Sequence, residues 1–407
     1  MYHIIRGPRR SACVRVCAEK AYWEDRGMTE TQRELIELVR GVVTGHVSDT
    51  FPIADPEELY NIASKHDMAH FVGYAIEAFK LSVPNSEIRE RFRQQYYQAI
   101  RRVIILEDEI SKIKKCFEEN SIDFIPLKGA VIRLLYPEKW MRVSADIDIL
   151  VRSNELEKAE QVLIDRLGFA VTSNGAHHDH VTAPNGFHVD LHFVLSERKA
   201  EATPIFTDVW NRSALENGKA HEYQMDDDMF YLFHMFHTAV HFQLGGCGMR
   251  PILDTWVLNH KLEFDSERRR TLLLQGGLFR FAEMMERLSE VWFTGTEESG
   301  IEDVEDYIFK GGVYGGTQRI AAVQAKDGSR FRYLLKRAFP PAENMMAGRY
   351  QIIRHWPVLL PVCWAHRLLT GLFYGKGKQA AYEMKKTKDE TDQSREISEL
   401  FRKMGLS

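Results

Sequence analysis

The stretch Asp146-Ile147-Asp148-Ile149-Leu150-Val151 constrains this chain more than any other. It is a run of β-formers carrying two carboxylates one residue apart, and in a strand successive side chains alternate between faces. Asp146 and Asp148 therefore share a face, while Ile147 and Ile149 point into a core. Two acidic groups held side by side on a rigid strand make a clamp for a divalent cation. Just upstream, Phe124-Ile125-Pro126-Leu127-Lys128-Gly129-Ala130 reads as a strand running into a helix. A glycine sits at that turn, where phosphates dock on backbone N–H groups. Cation clamp and phosphate turn together point to nucleotidyl chemistry.

The bulk properties narrow the partners. A chain of 407 residues is too long for one compact domain and predicts two or three. A hydrophobic fraction of 44% with 28% charged residues is ordinary for a soluble globular protein, and the cytoplasm is the expected compartment. The net charge of -4 gives no basic footprint, so stable nucleic-acid binding is not expected. Cys13, Cys17, Cys116, Cys247 and Cys363 are scattered without zinc spacing, which reads as structural thiols in a reducing compartment. Residues 1–27 are basic and aperiodic, and read as a flexible extension or as the product of a start codon placed upstream of Met28. No apolar signal core follows the early arginines. The apolar stretch Trp356 to Phe373 contains Pro357, Pro361, His366 and Arg367, a poor composition for a transmembrane span. It predicts a buried helical end with a proline-punctuated start, with membrane-surface contact as the alternative.

Periodicity divides the chain into a flexible extension (1–27), an N-terminal helical region (28–103), a core (104–195) and a C-terminal helical region (196–407). Apolar residues at spacings of three and four from Thr29 to Phe79 predict short packed helices, one of them starting at Asp55-Pro56 by N-cap and N1 proline. Glu87 to Glu119 predicts one long helix, ended by Asn120. The core then reads as strand Ile122 to Leu127, helix Ala130 to Tyr136 and strand Ala145 to Val151. A helix follows, opened by an Asn154/Glu157 capping box and closed by Gly168. Strands His178 to Thr182 and Phe187 to Val194 form a hairpin across Pro184-Asn185-Gly186. The predicted fold is α+β, a small mixed sheet with helices on one side, flanked by the two helical regions. Beyond Asp226 helices follow at Asp227 to Phe242 and Arg250 to His260. Gly311 to Gly316 reads as a flexible interruption, and the charged tail from Lys385 as partly exposed.

A third carboxylate is needed to hold cations and accept a proton. Asp190, in His188-Val189-Asp190-Leu191-His192, alternates onto one face with both histidines and is the candidate metal ligand and general base. Asp146, Asp148 and Asp190 are therefore the expected catalytic and metal-binding residues. Mg²⁺, or Mn²⁺, suits them, since Mg²⁺ takes a few carboxylates and fills its octahedron with water and triphosphate oxygens. Lys128 and Gly129 are expected at the triphosphate, with Arg142 and Ser144 as phosphate or metal-shell contributors. A structural loop role is the plain alternative for Arg142 and Ser144. His234, His237 and His241 share a helix face, but no glutamate lies between them as zincins require, so core or pocket roles are favoured over zinc. His178 and His180 share a face that suits either a nucleotide pocket or a solvated hairpin. Asp254 reads as a helix cap or an ion-pair partner of Arg250, with acceptor binding as the alternative.

These residues carry a resemblance. Leu127-Lys128-Gly129, Leu135-Tyr136, Arg142, Asp146 to Val151 and Val189-Asp190-Leu191-His192 resemble the large uncharacterised bacterial nucleotidyltransferase family within the DNA polymerase β-like superfamily. The resemblance extends through the histidine-bearing helix and Arg250 to Asp254, to Gly311-Gly312, Phe339-Pro340-Pro341 and Leu360-Pro361. It implies a Mg²⁺-dependent nucleotidyltransferase with its carboxylates at Asp146, Asp148 and Asp190. The wider superfamily usually has Gly-Ser or Gly-Gly after the first strand, with a shorter run to the paired carboxylates. This chain has Lys128-Gly129 and a longer run.

The expected reaction moves NMP from an NTP, with ATP the expected nucleotide, to a hydroxyl of a small molecule or protein. A non-catalytic nucleotide-binding or antitoxin-like partner protein with the same fold is the alternative, and γ-phosphoryl transfer is a third possibility. The acceptor and the oligomeric state are not legible.

Overall fold

A computed structural model of the chain describes residues 27–47, 51–175, 177–195, 203–313, 315, 339–340, 345, 350, 352–373 and 390–406. The reading of residues 1–27 as a flexible extension lies, but for residue 27, outside them.

Three short helices open the described chain: α1 (Glu30–Thr44), α2 (Pro56–Lys65) and α3 (Ala69–Ala78). Thr29 closes a capping box with Gln32 at the start of α1, and Asp55 accepts from the Glu57 and Glu58 amides at the start of α2. Each cap satisfies backbone donors that have no partner inside the helix. The long helix α4 (Ser86–Glu119) starts on Asn85, which accepts from Glu87 and Ile88. At 1.5 Å per residue it is about 51 Å long. It runs unbroken past residues 103 and 104.

The core follows. Its elements are β1 (Phe124–Pro126), α5 (Gly129–Ile132), β2 (Asp146–Val151), α6 (Leu156–Leu167), β3 (Ala170–Asn174), β4 (His178–Thr182) and β5 (His188–His192). The strands form one mixed sheet in the order β1-β2-β5-β4-β3, and only the β2–β5 pair is parallel. Ile147, Ile149, Val181, Val189 and Leu191 are buried with Ile113 and Phe117 of α4 and Ala159 and Leu163 of α6. Each such side chain contributes roughly 1.5–3 kcal/mol by leaving water. That packing leaves the other face of the sheet to Asp146, Asp148 and Leu150.

The C-terminal helices cover that other face in part. After α7 (Thr203–Phe206) and a ribbon of β6 (Ser213–Leu215) and β7 (Tyr223–Met225) come α8 (Asp227–Gln243), α9 (Arg250–Lys261), α10 (Ser266–Gln275), α11 (Phe279–Phe293) and α12 (Glu302–Gly311). They share one core with α1 to α3, and Ile125 and Leu150 of the sheet join it. Arg40 on α1 donates to the Trp292 carbonyl on α11 at 2.9 Å. The N- and C-terminal helical regions therefore build a single body. At the free edge of β1, Phe124 N–H donates to the His221 carbonyl at 3.0 Å, which shields the edge from other strands.

Several sequence expectations need correction. The expected strand from Ile122 is only three residues long, and the expected helix from Ala130 to Tyr136 is one turn ended at Ile132. A fifth strand, β3, escaped the pattern because its exposed and half-buried residues carry no apolar alternation. The Asn154/Glu157 capping box does not form: a 3-10 turn over Ser153–Glu155 leads directly into α6. Of the Gly311 to Gly316 stretch, read as a flexible interruption, residues 314 and 316 lie outside the described residues; at Gly312 a Cβ on Gly246 would lie 2.4 Å from the carbonyl, so there the two glycine loops pack backbone to backbone. Helices α13 (Ile352–His355) and α14 (Leu360–Phe373) bear out a helical end, but Trp356, Val358 and Val362 are exposed, so it is not a buried one. Helix α15 (Glu390–Lys403) buries Ile397, Leu400 and Phe401, with the Gln243 amide donating to the Leu406 carbonyl at 2.6 Å. No described helix is long and apolar enough to cross a membrane.

Candidate active site

Strand register assembles the polar face. Parallel pairing sets Asp148 beside Asp190, Asp146 beside His188 and Leu150 beside His192. Antiparallel pairing then sets His180 beside Asp190 and His178 beside His192. Since every second residue faces the same way, Asp146, Asp148, Asp190, His192, His178 and His180 form one patch.

Asp148 is its most buried carboxylate, 6% exposed. Lys128 Nζ lies 2.6 Å and His192 Nε2 2.9 Å from the same oxygen, Oδ1. Burial alone would raise its pKa. The Lys128 charge and the hydrogen bonds from His192 and Lys128 outweigh burial and hold it well below the usual carboxylate range. Asp146 differs. Its carboxylate makes no hydrogen bond or ion pair among the described residues. Burial, then the charges of Asp148 and Asp190, push its pKa up. Such a carboxylate has unspent capacity to bind a cation, and a cation would remove the repulsion. The oxygen donors therefore fit Mg²⁺ or Mn²⁺.

Asp190 Oδ1 lies 2.6 Å from His180 Nδ1, and Oδ2 lies 4.0 Å from His178 Nε2. Donor atoms of Asp148, Asp190 and His192 come within 4.8 Å of one another, as do those of His178, His180 and Asp190. Asp146 stands one step along the strand from both clusters. The expected carboxylates thus meet on one face, with histidines interleaved.

The turn before the patch is strained. Lys128 has φ +43° and ψ -121°, a conformation rare for a residue with a side chain. Strain of about 1–3 kcal/mol persists where surrounding contacts over-determine it, here the Lys128–Asp148 pair. At Gly129 a Cβ would lie 2.1 Å from Ser144 Oγ, so close approach of Ser144 requires the glycine. With only four residues, α5 has too little dipole to act as the anion-binding helix expected there.

Arg142 and Ser144 lie behind the patch. Arg142 is buried, with Nε 2.8 and 2.9 Å from the two oxygens of Asp254 and Nη1 3.1 Å from Ser144 Oγ. Tyr136 Oη also donates to Asp254, at 2.8 Å. Asp254 is therefore neither a helix cap nor the partner of Arg250, whose Nη1 lies 3.1 Å from Asp67. The Arg250 charge still acts to lower the Asp146 pKa.

The histidines of α8 separate by role. His234 Nε2 lies 3.1 Å from Thr255 Oγ1 in the core. His237 Nε2 lies 3.2 Å from His241 Nε2. Burial, then the Lys128 charge, push the His237 pKa well below its usual value, while Asp148 pulls it up. Helix α8 thus brings His237 to the edge of the patch. Sequence reasoning had placed His192 on the Asp190 face but missed its bond to Asp148, which depends on parallel pairing across 44 residues of chain.

No curated protein and no solved structure gives a significant match. A family model described as an uncharacterised nucleotidyltransferase matches residues 52–294, more than half of the chain, and spans every residue of the patch. The chain belongs to this nucleotidyltransferase family, and is accordingly a transferase of phosphorus-containing groups.

Proposed function

We propose that the protein transfers NMP from an NTP, ATP in the first instance, to a hydroxyl of a small-molecule or protein acceptor, with Asp146, Asp148 and Asp190 as its metal-binding and catalytic residues. The observation that carries this is the parallel β2–β5 register, which sets Asp148 beside Asp190 with Asp146 on the same face. When bound there, Mg²⁺ or Mn²⁺ would neutralise triphosphate charge and the pyrophosphate leaving group. Asp190 takes the proton of the acceptor hydroxyl. It is less enclosed than Asp148, and its bond to His180 fixes its orientation. Lys128 is the resident counter-charge of Asp148, and is placed to exchange that carboxylate for a phosphate oxygen. Arg142 and Ser144 act through position: by gripping Asp254 and each other they fix the loop that enters β2.

Incubating the protein with Mg²⁺, a fractionated cell extract and NTP labelled at the α or the γ phosphorus tests the reading. Nucleotidyl transfer leaves α-label on the product and releases pyrophosphate. A γ-labelled product would instead establish phosphoryl transfer.

A further inference from the structure

The histidine side of the sheet face holds more donor chemistry than a magnesium site uses. His178 and His180 stand two residues apart on β4, and each faces a side chain of β5, His192 and Asp190 respectively. The His178 ring centroid lies 4.7 Å from that of His180 and 4.8 Å from that of His192. His180 Nδ1 and Asp190 Oδ1 are 2.6 Å apart, and one donor atom from each of His178, His180 and Asp190 lies within 4.8 Å of the others. Two ligand atoms each about 2.1 Å from one cation stand roughly 3–3.5 Å apart, so small side-chain rotations close this set. The three residues are half-buried, which leaves an approach from solvent.

Donor type selects the ion. Mg²⁺ is a hard cation that takes oxygen ligands, whereas neutral imidazole suits zinc and its neighbours. Two imidazoles and one carboxylate match a zinc site with an open fourth position, the kind that holds a water or a substrate oxygen. The alternative is a plain hydrogen bond between His180 and Asp190 with no metal.

We propose that His178, His180 and Asp190 form a Zn²⁺ site on the histidine flank of the patch, with Asp190 shared between it and the Asp148 side. It shares Asp190 with the nucleotidyl-transfer reading, but neither a nucleotide nor turnover is needed for it to fill, so its occupancy is tested independently of that reading. Protons compete with the metal for the two imidazoles, so affinity falls in acid.

The test uses the full-length chain, stripped with a chelator and titrated with Co²⁺ as a spectroscopic substitute, then with Zn²⁺ in competition with a chromogenic chelator. The wild type is expected to develop the visible absorption of low-coordinate Co²⁺ at one equivalent, displaced by Zn²⁺ and not by millimolar Mg²⁺. The His178→Ala/His180→Ala variant is expected to lose the band and about 100-fold in Zn²⁺ affinity. His237→Ala/His241→Ala, Cys13→Ser/Cys17→Ser and Asp146→Asn should retain both. If the double alanine variant is unfolded by circular dichroism, His178→Gln/His180→Gln carries the same expectation. No band in the wild type overturns the proposal, as does a band that survives loss of both histidines or one that disappears with His237 and His241. Loss of NMP transfer in Asp146→Asn with the band intact supports a Zn²⁺ site that fills without Asp146.

Discussion

At the scale of single residues, Lys128 shows backbone and charge working against each other. Its positive φ suits glycine, yet lysine stands there and its ammonium lies 2.6 Å from Asp148. Glycine adopts such backbone without the Cβ penalty. Lys128→Gly is therefore expected to be more stable than Lys128→Ala by about 1 kcal/mol in urea denaturation, although both remove the same charge. Equal stabilities would show that the turn is not strained. The sequence made the carboxylates legible because strand alternation is a local rule. It did not expose the strain at Lys128 or the grip of Arg142 on Asp254, since both depend on partners 20 and 112 residues away.

At the scale of elements, α6 docks on the sheet face opposite the patch through an acidic pair. Asp179 on β4 accepts from the Asn174 amide and the Gly175 backbone. Burial, followed by the hydrogen bond and charge of Asp179, raises the Glu160 pKa to about 7. An unfolded chain releases that proton near 4.5. Between those values the folded protein holds a proton that the unfolded chain has lost, so stability falls as pH rises through the window. Glu160→Gln cannot lose that proton. Its unfolding free energy from urea denaturation should lie close to the wild type near pH 5 and exceed it at pH 8, by on the order of 1–3 kcal/mol. Unchanged differences at the two pH values would contradict the assignment. Long elements such as α4 were legible from periodicity and caps. Strand β3 was not, because pairing with β4 fixes it while its own residues bury little.

At the scale of the whole molecule, the two helical regions form one body and the sheet stands against it. The buried Arg142–Asp254 pair ties the loop before β2 to α9. Removing one member of a buried pair leaves the other charge uncompensated, so Asp254→Ala should cost about 3–5 kcal/mol, read from thermal or denaturant unfolding. A cost below 1 kcal/mol would mean that the core and helical body are not coupled through this pair. That coupling was invisible in sequence, where Asp254 read as a cap or a partner of Arg250. Family membership and the mixed sheet were visible, because the carboxylate strands carry both. The central claim is that the Asp146/Asp148 face performs NMP transfer, and it is tested most directly by following α-label from NTP to acceptor with Asp146→Asn/Asp148→Asn. With both carboxylates neutralised and the fold verified by circular dichroism, transfer is expected to fall by about 10³-fold or more, equivalent to at least roughly 4 kcal/mol of transition-state stabilisation. Mg²⁺-dependent transfer at the wild-type rate would contradict it.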